Sequence, residues 1–522
     1  MANLSLFQSL KRKLGATDTT NHAGAPAYQL TARHQLAQLA ATGCLTTTFY
    51  TSQEDQLGAT LALANQVEPE FVAKTAIYAR TAGHMKDMPA LLATVLAVRD
   101  VALLTKVFDR VIDDGKMLRN FVQIIRSGTS GRKSLGSRPK KLVQAWLCRA
   151  TEKQLLHASI GNNPSLADVV KMVHPKPQEP WREAWFAWLL GRPYEESALP
   201  PITLSYLQFS RAAASGDIAE IPDVPSQMLS ALKLDANAWA QIARKGSWQM
   251  VRQNLNTFAR HGVFAIAEMA EVIAAKLRDP QAIAKARVLP YQLMMAYLSV
   301  DNNVPFVVKE ALQDAMELAL TNVPVFAGTV VVCPDVSGSM RSPATGQRGA
   351  ATSQVRCIDV AALVAAAVLR KNSSARVLPF EQQVVKLQLN PRDSVMTNAK
   401  QLAAIGGGGT NCSAPLAQLN QERAKADVVI LVSDNESWID ARRAGATQTM
   451  AEWETFKTRN PKALLVCIDV QPYHTTQALE RADIMNVGGF SDAVFTQIER
   501  FTNSGGRREK WLTQIENISL TN

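Results

Sequence analysis

The sequence predicts a multidomain chain, an all-α superhelical part followed by an α/β doubly wound domain. Three observations carry this. Apolar residues recur at helix spacing from about 30 to 320, strand–helix alternation begins at about 325, and oxygen-bearing side chains follow two of the strands. At 522 residues the chain exceeds one ordinary core, so two or three domains are expected. Its 47% apolar and 19% charged residues describe a globular protein and exclude wholesale disorder.

At the N-terminus, residues 1–13 place their charges after the apolar residues and lack an apolar h-region, so no secretion signal is read. No apolar run reaches the roughly 18 residues of a spanning helix. Six cysteines (Cys44, Cys148, Cys333, Cys357, Cys412 and Cys467) have no C-x-x-C spacing, and several sit inside apolar patterns as small hydrophobes. A cytoplasmic location without membrane contact is expected.

The helical part follows. Leu103/Leu104, Val107/Phe108 and Val111/Ile112 recur at helix spacing, as do Leu118, Phe121/Val122 and Ile125, and later Ile266, Met269, Val272/Ile273 and Leu277. Breaks fall at Gly83, Gly161–Pro164, Pro175–Pro177, Gly191–Pro193 and Pro222–Pro225. Many short helices without strand signals suit a solenoid of degenerate helix pairs, with a compact bundle as the alternative.

The net charge of +11 is unevenly placed. Between 115 and 151 stand Lys116, Arg119, Arg126, Arg132, Lys133, Arg138, Lys140, Lys141 and Arg149, with no acidic residue among them. A solvated helix face would mix both signs. The middle of this stretch, Ser127–Pro139, is rich in glycine and hydroxyls, which let backbone approach phosphate while Lys and Arg add charge. Charge alone therefore points to nucleic acid.

From about 325 the period changes. Strands are expected at Thr329–Cys333, Arg376–Pro379, Val428–Val432, Leu464–Asp469 and Ile484–Val487. Helices are expected at Ile358–Lys371, Pro415–Ala426 and Met450–Thr458, which makes a parallel sheet covered on both faces. The linker is placed at Thr321–Pro324. Asp335, Ser337 and Ser339 follow the first strand, Thr410 follows four glycines, and Asp434 follows the third strand. Such a set at strand ends suits a hard divalent cation. Gly406–Gly409 lacks a following G-K-[ST], so no Walker A loop is read. Ser337 and Ser339 lack the G-x-S-x-G context of a nucleophile, and two carboxylates fall short of a two-metal nuclease.

These residues resemble a known family. Asp335-x-Ser-x-Ser339 with the separate Thr410 and Asp434 is similar to the metal-ion-dependent adhesion site of a von Willebrand factor type A domain. Tyr78–Leu92, with Tyr-Ala-Arg at its start and Pro-Ala-Leu-Leu at its end, resembles the TROVE signature of the Ro autoantigen family. Leu166–Pro177 resembles a second motif of that family, Val288–Tyr291 a third, and Gly409–Leu416 and Ser433–Ser437 its version of the A domain. The resemblance covers roughly residues 27 to 505, that of a bacterial-type Ro orthologue.

The resemblance implies an N-terminal arm over 1–26, a TROVE domain of HEAT-like repeats closing into a ring over 27–322, and a von Willebrand A (Rossmann-like) domain over 323–522. It implies a divalent cation, Mg²⁺ first with Mn²⁺ or Ca²⁺ as alternatives, with one position open for an acidic group. It further implies a basic outer surface for small structured Y-like RNA, a hole for 3′ ends of misfolded RNA, and His174 as an RNA contact. An exoribonuclease or other RNA-processing protein is the implied partner, and a monomeric, non-enzymatic role in RNA quality control the implied function. The competing expectation is a metal-dependent protein-interaction scaffold, like chelatase or adhesion A-domain proteins.

Overall fold

The computed structural model describes residues 15–43, 45, 47–215, 220–286, 288, 290–320, 323–344, 355–439, 445–506 and 511–521. Cys44, Leu289 and the expected linker residues Thr321 and Asn322 lie outside them. The chain divides into two compact units. One comprises Glu68–Val288, Gln292–Ala319 and Ser519–Asn522; the other comprises Met1–Val67, Leu289–Tyr291 and Leu320–Ile518.

The first unit is helical. From Pro69–Thr81 to Phe306–Ala319 its helices are short and pack chiefly on neighbours one or two elements away, as stacked helix pairs do. Local signals set their ends. Asp114 accepts from the Met117 N–H at 2.7 Å to start the Gly115–Ser127 helix, and Gly128, at φ 84°, stops it. Ser165 and Asp168 form a capping box on the Leu166–Val173 helix. The residues the helical spacing marks, Leu118, Phe121, Val122 and Ile125, are buried, and Met117 joins them.

The second unit is built on a five-stranded parallel sheet. After a small N-terminal pair, β1 (Thr19–Thr20) and β2 (Pro26–Gln29), come β3 (Val330–Pro334), β4 (Arg376–Val377), β5 (Val428–Ser433), β6 (Leu464–Asp469), β7 (Thr475–Thr476) and β8 (Ile484–Gly488). The order is β4-β3-β5-β6-β8. Every residue of β3, β5, β6 and β8 is buried, because helices cover both faces and an alternating pattern would bury polar groups. Helices Cys357–Lys371, Ala414–Gln421 and Gln448–Arg459 fall where strand–helix alternation puts them. The Val395–Ala403 helix lies outside the expected set.

Residues 27–67, assigned by resemblance to the helical half, pack with the α/β unit. Strand β2 pairs antiparallel with β7, Tyr28 opposite Thr476 and Gln29 opposite Thr475. The Ala32–Thr42 helix lies against β8, where Gly488 leaves room for the Gln38 side chain. Gln38 Nε2 donates to the Gln471 carbonyl at 3.2 Å.

Candidate metal centre and basic groove

Strands β3 and β5 are adjacent and parallel, so the loops leaving their carboxyl ends meet. The Asp335 N–H donates to the Val432 carbonyl at 2.9 Å, aligning the two loops. Asp335 Oδ1 accepts from the Ser337 N–H at 2.8 Å, and its Oδ2 accepts from Ser433 Oγ at 2.5 Å. Ser337 Oγ and Ser339 Oγ stand 3.4 Å apart, and Asp434 Oδ1 accepts from the Glu436 N–H at 3.3 Å.

The glycine run brings in the third loop. Gly407 N–H donates to the Val336 carbonyl at 2.9 Å and Gly338 N–H to the Gly408 carbonyl at 3.1 Å. Gly407 (φ 152°) and Gly408 (φ 71°) hold backbone conformations that side chains resist. The Thr410 carbonyl then accepts from the Trp438 and Ile439 N–H groups at 3.1 and 3.2 Å, pinning Thr410 beside the loop after β5. All five expected ligands are thus gathered, and none is more than 5% exposed.

Burial crowds several carboxylates at this point. Asp335, Asp434, Glu436 and Asp469 are buried together, and among the described residues none of them makes an ion pair. Burial and the Asp434 charge push Asp335 up to about 7 and Glu436 up to about 8. Burial likewise raises Asp434 and Asp469 above the usual carboxylate range. Asp434 Oδ2 and Glu436 Oε1 are buried with no hydrogen-bond partner among the described residues. Unused oxygens on crowded carboxylates fit a hard divalent ion, which would supply the missing positive charge. Spacing did not single out Ser433, which binds Asp335 without being a ligand candidate. Cys412 is fully buried beside Ser433, a small hydrophobe as expected.

The basic segment sorts into two kinds of residue. Arg126, Lys133 and Lys140 line a groove of about 890 Å³ together with Lys171, Ser134, Ser137 and one acidic residue, Asp168. They come from the Gly115–Ser127 helix, the following loop, and the Ser137–Arg149 helix, whose N-cap Gly136 provides no side-chain cap. Gly136 and Ser137 line the groove, so the positive end of the helix dipole lies beside it. Lys171 was not among the expected contacts, although it lies in the motif that carries His174.

The other expected contacts stand elsewhere. Arg119 is 8% exposed, and its guanidinium donates to the Pro164 carbonyl at 3.2 Å and to the Ile160 carbonyl. Arg132 donates to the Ser134 and Ala97 carbonyls at 2.8 and 2.9 Å. Arg149 pairs with Asp109 at the far end of its helix, beside a separate groove of about 320 Å³. Lys116 is half-buried, whereas Arg138 and Lys141 are exposed without lining the large groove. His174 is exposed in a left-handed turn at φ 51°, tied through its carbonyl to Gln144 Nε2 at 3.2 Å.

Known proteins share this organisation. Residues 149–362 match the TROVE domain family, and residues 329–502 match the Ro60 vWA domain family. A curated relative from Deinococcus radiodurans, named RNA-binding protein RO60, is 25% identical over 348 residues, 63% of this chain. The match spans 64% of that relative's length. The crystal structure of the Deinococcus radiodurans RO (RSR) protein superposes with a TM-score of 0.59 at 18% identity, covering 90% of this chain and all of that one. That likeness is one of fold.

Proposed function

We propose that this chain is a Ro-type protein joining a TROVE domain to a Ro60-type von Willebrand A domain, and that it binds RNA through a phosphate-binding surface, the Arg126–Lys133–Lys140–Lys171 groove. The observation that carries the proposal is the convergence of cations from four elements on one uncapped helix N-terminus. Backbone N–H groups hold phosphate oxygens in place while Lys and Arg supply the charge. The relative's description as an RNA-binding protein supports the same assignment.

The finer reading is a small structured RNA of the Y type on this surface and single-stranded 3′ ends of misfolded RNA as further substrates. An exoribonuclease or other processing protein would act on what this chain holds, in the cytoplasm, with the chain itself monomeric and not catalytic. No helix among the described residues is long and apolar enough to cross a membrane. In the second unit, Asp335, Ser337, Ser339, Thr410 and Asp434 would hold a divalent cation, Mg²⁺ first. When bound, that cation supplies a Lewis-acidic centre that neutralises the crowded carboxylates.

Charge reversal tests the groove. If the four cations meet phosphates of a single strand, they contribute about −3 to the log–log salt slope. Replacing Lys133, Lys140 and Lys171 by Glu should abolish the electrophoretic shift of a structured RNA while the circular dichroism spectrum stays unchanged. Unaltered affinity in that folded variant would remove the groove from the binding surface. Labelled RNA incubated with Mg²⁺ should stay intact; cleavage that disappears in Asp335→Ala would make the protein a nuclease.

A further inference from the structure

The metal centre is covered from within its own unit. Two stretches before the first long helices of that unit, 19–31 and 47–52, run over the loops that carry the ligands. The turn Asn21–Ala25 closes with the Asn21 N–H on the Ala25 carbonyl at 2.8 Å, and β2 fixes it to β7. From its tip, Asn21 Nδ2 donates to the Ser437 carbonyl and the His22 N–H to Glu436 Oε2, both at 2.7 Å. Those acceptors lie two and three residues after Asp434.

The second stretch adds Tyr50. Its N–H lies 3.4 Å from Tyr473 Oη, and its ring stacks on His22 at 6.1 Å and meets Tyr473 edge-on at 5.7 Å. The Tyr50 phenol, packed on His22 and Tyr473, lies close enough to the ligand cluster that burial first, then Asp434 and Glu436, hold its pKa well above the usual range. Ser339, Asp434 and Asp335 are ligand candidates, so the phenol stands beside the ligand cluster. The near-complete burial of the five ligands agrees with this.

We infer that stretches 19–31 and 47–52 form a strap latched by the bound cation, with the Tyr50 hydroxyl over the coordination position that an outside carboxylate would otherwise take. The inference rests on the metal assignment made above. A neutral phenol is a weak ligand for a hard cation, directly or by holding a bound water. It shields the position without adding charge, and an anionic group can displace it. Strap and cation would stabilise each other: the His22 N–H donates to Glu436, and positive charge beneath that carboxylate offsets the cost of burying it ionised. Linkage makes the effect reciprocal, so whatever lifts the strap weakens the metal.

Hydrogen–deuterium exchange on the full chain reads the latch directly. Peptides covering 19–31 and 47–52 should exchange at least about tenfold more slowly with Mg²⁺ than with EDTA, as local opening becomes costlier. Mn²⁺ affinity, followed by electron paramagnetic resonance of the free ion, should fall about threefold to tenfold in Tyr50→Phe, the worth of one hydrogen bond. That variant keeps the ring contacts. Acetate, as the carboxylate probe, should bind the Mn²⁺-loaded Tyr50→Ala protein more tightly than the native one. If Mn²⁺ binds but neither strap exchange nor the Tyr50→Phe affinity changes, the latch is wrong and the metal centre stands. If Mn²⁺ does not bind, both are wrong.

Discussion

Arg119 and Lys140 carry the same formal charge in the same acid-free segment, yet the structure places them in opposite settings. Arg119 lies buried against the 160–164 loop, and burial lowers its pKa, whereas Lys140 reaches the groove. Truncating a buried guanidinium that donates to two carbonyls leaves those acceptors unpaired. Arg119→Ala should therefore cost about 3 kcal/mol in urea denaturation, with little change in RNA affinity at temperatures where the variant is folded. Lys140→Ala should do the reverse. If Arg119→Ala instead weakens RNA binding with an unchanged urea midpoint, the assignment of roles is mistaken. The net charge of the segment is legible in the sequence; which cations are held by carbonyls is not, because those carbonyls lie 35 to 45 residues away, at Ile160 and Pro164 and in the Asp87–Arg99 helix.

At the scale of elements, agreement between pattern and fold follows the range of the interactions. Strands β5 and β6 and the Gln448–Arg459 helix were readable because burial on both faces leaves continuous apolar runs and helix spacing is local. The pairing of β2 with β7 joins residues nearly 450 positions apart in two very short strands, so no local signature exists. The Ala32–Thr42 helix buries Gln35, Gln38 and Thr42 along with its apolar residues, which hides its docking face from any hydropathy pattern. The loop before Ser137–Arg149 offers a sharper test. Gly136 has φ 70° and ψ 175°, a combination open essentially to glycine alone, and a Cβ there would run into the Arg132 guanidinium. Gly136→Ala should cost about 1–3 kcal/mol and weaken RNA binding by shifting the helix N-terminus. Normal affinity in a destabilised Gly136→Ala protein would show that the helix end does not touch phosphate.

For the whole molecule, the two candidate sites lie in different compact units, the groove in the helical one and the metal centre in the α/β one. Metal binding should stabilise only the unit that holds it. At a Mg²⁺ concentration 100 times the dissociation constant the gain is about 2.7 kcal/mol, or roughly 5–10 °C for a unit of this size. Calorimetry should show one transition that rises with Mg²⁺ and one that does not, and the Lys133, Lys140 and Lys171 reversal should leave the Mg²⁺ shift intact. The sign of the Asp434 effect separates a metal site from an ordinary buried acid. Without a cation, Asp434 is buried beside Asp335 and raises its pKa, so removing it relieves repulsion. Asp434→Ala in EDTA should thus melt at or above the native protein in EDTA, while losing the Mg²⁺ shift completely. An ordinary structural aspartate would give the opposite result, a lower melting temperature in EDTA with the Mg²⁺ response retained.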